Sequence, residues 1–160
     1  MNDREFLEAF EHCTLPGDSF HHSDHIRLGW LYVREHPLPE AIGRFVATLQ
    51  RFAASKGAAG LYHETITWAF LLLIHERMQR GGDADYETFR ANNADLYRWK
   101  PSVLDEYYLP ETLASDLARR VFVLPDRASG YTAPRPVPTE HVEGVRNDSE
   151  DGRRLVHAHE

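Results

Sequence analysis

The sequence predicts an all-α domain over residues 1–126, built as a compact bundle of five to six helices around a central apolar helix at about 62–80. Three observations predict this class. Apolar residues recur at helical spacing through most of these residues. Proline and glycine separate the periodic segments from one another. The sequence offers no alternating run of ordinary strand length, and its one strand-like run, 121–124, is better explained as the end of a helix.

Each of the first three helices has an apolar face and residues that stop it. The predicted bounds are about 4–13, 19 or 23 to 36, and 39–56. The start of the second helix is left open, because Asp18, Ser19 and Ser23 are all candidate N-cap residues. Pro37 ends this helix, and Pro39 suits the first turn of the third.

The fourth helix, at 62–80, differs from the others because residues 68–74 are apolar on every face. A helix of this kind is surrounded by other helices, so we expect it at the centre of the bundle. A further helix is predicted at 86–92, and one or two short helical turns between 93 and 108. A last helix is predicted at 111–122. Its expected inward residues are Leu113, Leu117 and Val121.

From residue 127 to residue 160 the chain is polar, rich in proline and poor in apolar residues. Such a segment buries too little surface to offset its conformational entropy, so a disordered tail is expected.

Composition narrows the functional classes. The chain of 160 residues has a formal net charge of −7 and a single cysteine, Cys13, which excludes a disulfide framework or a cysteine-based zinc site. The arginines form no basic stripe, so nucleic acid is not an expected partner. The longest apolar run has seven residues, against about 20 for a membrane span. With its charged start, the chain is expected in the cytoplasm and away from membranes.

Two clusters of potential metal ligands stand at the starts of the second and fourth helices. In the first cluster, His21 and His25 are helical neighbours if the helix begins by Ser19, and His22 and His25 form a second possible pair. In the second cluster, His63 lies at the positive end of the helix dipole, which favours the neutral imidazole that binds metals or accepts protons. The alternative for both clusters is a structural or solvated helix start.

If the two helix starts meet at one end of the bundle, His25, His63 and Glu64 converge. A set of two histidines and a carboxylate leaves open positions on a metal, as in catalytic zinc or non-haem iron sites. We therefore expect a divalent transition metal (zinc, iron or copper), with His21 or His22 as third nitrogen ligand. Glu64 and His63 are the expected catalytic residues of a metal-dependent enzyme acting on a small molecule by hydrolytic, lyase or oxidative chemistry.

Two other functions fit the same residues. One is a metal-free enzyme in which His63 and Glu64 act as acid and base. The other is a non-catalytic ligand-binding or protein-interaction module whose histidines are structural. The aromatic and charged segments 97–100 and 105–108 either line a ligand mouth or pack along the surface. The chain lacks the His-Asp pair of HD-type phosphohydrolases and the Glu-x-x-His motifs of ferritin-like proteins, so neither family is indicated.

Overall fold

The computed structural model describes residues 1–82 and 85–127, and within them every regular element is helical. The predicted all-α class is confirmed. The α-helices are α1 (Asp3–Glu11), α2 (His22–Glu35), α3 (Leu38–Ser55), α4 (Glu64–Gly81), α5 (Tyr86–Asn92), α6 (Pro110–Leu113) and α7 (Asp116–Arg120). Short 3-10 helices span Ala59–Leu61, Ala94–Tyr97 and Val103–Glu106. Apart from Arg127, the predicted tail lies outside the described residues.

Helix α4 occupies the centre, as predicted, because it packs against α2, α3 and α7. Its buried face includes Leu71 and Ile74, each 1% exposed. The closest approach is to α2, where a Cβ atom built on Gly29 would lie 2.8 Å from Ile74 Cδ1. Glycine at this position lets the two helix backbones come together.

A cluster of phenylalanines joins α1 and α3 to the loop before α2. The ring of Phe10 stacks on that of Phe20 at 5.7 Å and lies 5.3 Å from that of Phe52. Phe20 in turn lies 4.8 Å from Phe52. These contacts fix the loop that leads into α2, and with it the position of the first turn of that helix.

The structure uses none of the three predicted N-cap residues of α2. The helix begins at His22 and its N-cap is His21. The backbone N–H of His21 donates to Asp24 Oδ2 at 2.8 Å, so the aspartate three residues later closes the helix start. His21 is therefore outside the helix, and the expected chelating pair of His21 and His25 on one helical face does not form.

The last predicted helix, 111–122, is also wrong, because two short helices replace it. Ser115 Oγ accepts a hydrogen bond from Ala118 N–H at 3.1 Å and donates one to the carbonyl of Thr112 at 2.6 Å, which ends α6 and starts α7. The new helix turns Ala118 inward, whereas Leu117 and Val121, expected inward, are 55% and 43% exposed.

The chain after α7 is tied to the bundle by side chains. Thr65 is fully buried on α4, and its hydroxyl donates to the Val121 carbonyl at 2.8 Å and accepts from the Val123 N–H at 3.1 Å. The Asp126 carboxylate accepts hydrogen bonds from Leu109 N–H and the Thr112 hydroxyl, at the start of α6. Within the described residues, no helix has the length and apolar character required to cross a membrane.

Candidate ligand-binding cavity

A cavity of about 310 Å³ lies between the start of α2, the end of α3 and the start of α4. Most of its lining is apolar, and aromatic side chains form much of the wall. The aromatic lining residues are Phe20, Phe45, Phe52, Tyr62, Phe70 and Trp99. The cavity opens to solvent on one side, where Leu61 is 79% and Trp99 55% exposed.

The structure brings three of the five predicted site residues to this cavity and leaves two outside it. His22, His25 and His63 line the cavity. His21 is an exposed N-cap residue, and Glu64 is not among the lining residues. The two helix starts therefore do meet, but the carboxylate of the expected set does not face the shared space.

His25 is the polar residue most open to a ligand. Its ring lies edge-on to Phe20 at 4.4 Å, and no described residue forms a hydrogen bond with either ring nitrogen. Burial lowers the pKa of His25 to about 4, with a smaller lowering from His22 and an opposing effect of Asp24. At neutral pH the ring is uncharged, so it has one N–H donor and one acceptor nitrogen.

His22 holds one wall of the cavity in place. Its Nε2 atom lies 2.8 Å from the Leu96 carbonyl oxygen, so this nitrogen carries the proton and donates. The ring packs at 5.0 Å from Phe70 and 5.1 Å from Trp99. Burial lowers the pKa of His22, and the bond to Leu96 opposes this effect. The histidine thereby connects α2 to the segment that carries Trp99.

His63 has the contacts of a structural residue. Its Nδ1 atom accepts from Ile66 N–H at 3.2 Å, which caps α4, and its Nε2–H donates to the Leu113 carbonyl at 2.8 Å. Both ring nitrogens are thus engaged with the backbone. A neutral ring protonated at Nε2 satisfies both bonds, and no nitrogen remains for a metal or a proton in transit.

Glu64 is engaged by a neighbour outside the cavity. The Tyr62 hydroxyl donates to Glu64 Oε2 at 2.5 Å. Burial raises the pKa of Tyr62, and the bond to Glu64 raises it further. Tyr62 is itself a lining residue of the cavity, so Glu64 is connected to the cavity wall through this hydroxyl.

No group of three histidine, cysteine, aspartate or glutamate side chains within residues 1–82 and 85–127 is placed to hold a metal ion. The metal and the catalytic roles of His63 and Glu64 stay predictions from the sequence.

Lys56 is a lining residue that our sequence reasoning missed. It caps the end of α3, and its Nζ donates to the Cys13 carbonyl at 2.9 Å and lies 5.3 Å from the centre of the Phe52 ring. A lone lysine at a helix end has no local signal for a site. Trp99 comes from the segment 97–100 and is the one residue of this segment that lines the cavity.

The arrangement is an apolar, aromatic space with one uncharged imidazole available inside and one ammonium group at its edge. This chemistry suits the binding of a small molecule with an apolar body and few polar atoms. Comparison with known proteins adds no relative, since no protein-family model, curated protein or solved structure matches the chain.

Proposed function

We propose that this domain binds a small, largely apolar molecule in the cavity between α2, α3 and α4, with His25 as its hydrogen-bonding partner. The volume supports the proposal, because ligand pockets start at about 300 Å³ and an apolar cavity of about 150 Å³ holds benzene. A cavity of about 310 Å³ matches a molecule of the size of two fused rings.

The unpaired imidazole of His25 carries the proposal. His25 is a half-buried residue of the cavity wall, and its imidazole can offer one N–H donor and one acceptor nitrogen to a bound molecule. Neither ring nitrogen has a hydrogen-bond partner within the described residues, whereas the neighbouring His22 and His63 both bond to backbone carbonyls. A hydroxyl, amide or ring nitrogen on a bound molecule would form a hydrogen bond with the His25 ring.

This proposal corresponds to the ligand-binding alternative of the sequence analysis. It requires neither a metal nor a reaction, and it uses His63 as a structural residue. The enzyme hypothesis remains open for a substrate held in the same cavity beside His25.

The test is binding of 2-naphthol, a neutral bicyclic probe with one hydroxyl group, measured by calorimetry and ligand-observed NMR. Ala53 lines the cavity and Ala54 is exposed on the next position of α3. We expect Ala53→Trp to fill the cavity and abolish binding, and Ala54→Trp to leave it unchanged.

A second pair of variants tests His25 itself. His25→Phe keeps the ring and removes its nitrogens, so the dissociation constant should rise about fivefold for the loss of one hydrogen bond. His21→Phe, at the exposed N-cap, should leave it unchanged. If neither 2-naphthol nor any member of a panel of neutral one- and two-ring aromatics binds in a manner that depends on Ala53, the proposal is wrong.

A further inference from the structure

The cavity lining has the opposite charge to the chain as a whole. The chain carries 25 acidic and 18 basic residues, for a formal net charge of −7. Among the lining residues there is no aspartate or glutamate, and Lys56 is the one lysine or arginine. A site for a cation or a neutral sugar would normally present carboxylates, so the exclusion of acidic groups here favours a ligand of negative charge.

Within residues 1–82 and 85–127, no carboxylate neutralises the charge of Lys56. No carboxylate of the described residues lies within ion-pair distance of its ammonium group. The ammonium uses one of its three protons on the Cys13 carbonyl, so two remain for a ligand.

The lysine side chain is also held in place. A Cβ atom built on Gly17 would lie 3.1 Å from Lys56 Cγ, so the aliphatic stem passes directly over this glycine. The ammonium at its end lies 5.3 Å from the centre of the Phe52 ring. Lys56 is exposed overall, and these contacts place its stem over Gly17 and its ammonium beside Phe52.

We propose that the ligand of this cavity is an apolar carboxylic acid, bound as its anion, with the carboxylate paired to Lys56. The inference rests on the proposed function and specifies the class of molecule. A carboxylate is favoured over a phosphate monoester, which is largely a dianion at pH 7, because the lining supplies a single cationic group and no arginine fork.

The positions of Lys56 and His25 define how such a molecule lies. Phe20 is 4.4 Å from His25 on one side and 4.8 Å from Phe52 on the other, and Phe52 is the ring beside Lys56. The two polar groups are thus separated by a wall of two phenyl rings. The apolar body packs on this wall, the carboxylate meets Lys56 at the edge, and His25 bonds to a second polar atom where the ligand has one.

The experiment compares 2-naphthoate with 2-naphthamide, which share size and shape and differ in charge. With the full chain at pH 7 and low salt, we expect calorimetry to show about threefold to fivefold tighter binding of 2-naphthoate, since an ion pair with an exposed lysine contributes at most about 1 kcal/mol. Raising the salt concentration should weaken binding of the naphthoate and leave that of the naphthamide unchanged.

Variants of the two lysines of the chain assign the preference. Lys56→Met should remove the preference without weakening 2-naphthamide binding, and Lys56→Arg should restore it. Lys100→Met, at an exposed lysine outside the lining, should keep it. Equal binding of both probes to the wild type, or a preference that survives in Lys56→Met, would overturn this inference while the cavity still binds ligand. If neither these probes nor the neutral aromatic panel binds, the proposed function itself fails.

Discussion

The Nε2 atom of His63, the N-cap residue of α4, lies 2.8 Å from the carbonyl oxygen of Leu113, the last residue of α6. The same ring accepts a hydrogen bond from Ile66 N–H, so one imidazole both caps the central helix and fastens a segment 50 residues further along the chain. This double use explains why a histidine at the edge of a cavity is 8% exposed and yet has no atom left for a ligand.

We predict that His63→Ala lowers the free energy of unfolding by about 2 kcal/mol, the sum of a lost helix cap and a lost buried hydrogen bond. His63→Asn keeps a good capping side chain and should cost about 1 kcal/mol. Urea denaturation followed by circular dichroism measures both. An alanine variant as stable as the wild type would show that neither bond stabilises the fold.

A second prediction concerns the contact of α2 with α4 at Gly29. Ile74 is 1% exposed, so its Cδ1 atom has little room to move from a Cβ placed 2.8 Å away, and Gly29→Ala should destabilise by about 1–2 kcal/mol. Ile74→Val removes that methyl group, and the double variant should be more stable than the sum of the single effects. Gly43→Ala on α3 is the control, because no atom lies within 4 Å of the new Cβ and the helix gains about 0.5–1 kcal/mol. Strict additivity in the double variant would contradict the close contact.

A third prediction follows from the pKa of His25, which burial lowers from 6.5 to about 4. Between pH 6.5 and pH 4, His25 binds fewer protons in the folded protein than in the unfolded chain. The contribution of its neutral ring to the free energy of unfolding is therefore complete above about pH 6.5, and it is lost as the pH falls toward 4. Between pH 7 and pH 5 the free energy of unfolding should fall by about 2 kcal/mol from this group. His25→Phe should show a correspondingly flatter pH dependence in urea titrations, whereas His21→Phe should match the wild type. Parallel curves for wild type and His25→Phe would rule out a buried neutral imidazole.

A fourth prediction concerns the end of the described chain. Asp126 accepts hydrogen bonds from Leu109 N–H and the Thr112 hydroxyl, and the backbone N–H groups of Asp126 and Arg127 both donate to the Tyr107 carbonyl. Asp126→Ala should therefore lower the free energy of unfolding by about 1–2 kcal/mol.

The control is Asp116→Ala, because the Asp116 carboxylate is exposed and pairs with Arg120 on the same helix. This substitution should change the free energy of unfolding by less than about 0.5 kcal/mol. An Asp126 variant of wild-type melting behaviour would mean that this segment does not anchor α6.

The sequence was most informative where local chemistry decides the structure. Helix α5 begins and ends as predicted, and the all-round apolar run at 68–74 correctly indicated the central helix. The start of α2 differs from the prediction because Ser19 and Ser23 have better capping propensity than His21, whereas the bond from His21 N–H to Asp24 closes the helix start one residue before His22. The break at Ser115 carried a signal, a serine followed by an aspartate, that the apolar spacing of the neighbouring leucines obscured.

In the candidate site, too, the sequence predicts what local residues decide and does not predict contacts between distant segments. The convergence of His25 and His63 on one space was expected from two helix starts of similar character, and the structure brings both to the cavity. The role of His63 depends on its bond to Leu113, 50 residues away, and no spacing in the sequence encodes that contact. Lys56 and Trp99 reach the cavity from segments whose relative position only tertiary packing determines.

The open, apolar cavity places ligand binding and stability in opposition. Larger apolar side chains at its lining residues Ala53 or Ala58 would bury surface that now faces solvent, so such substitutions are a direct route to a higher melting temperature. A laboratory selection for thermal stability alone is expected to close the cavity and to favour variants that no longer bind anything. Stability and binding must be selected together if evolved forms of this domain are to keep their ligand.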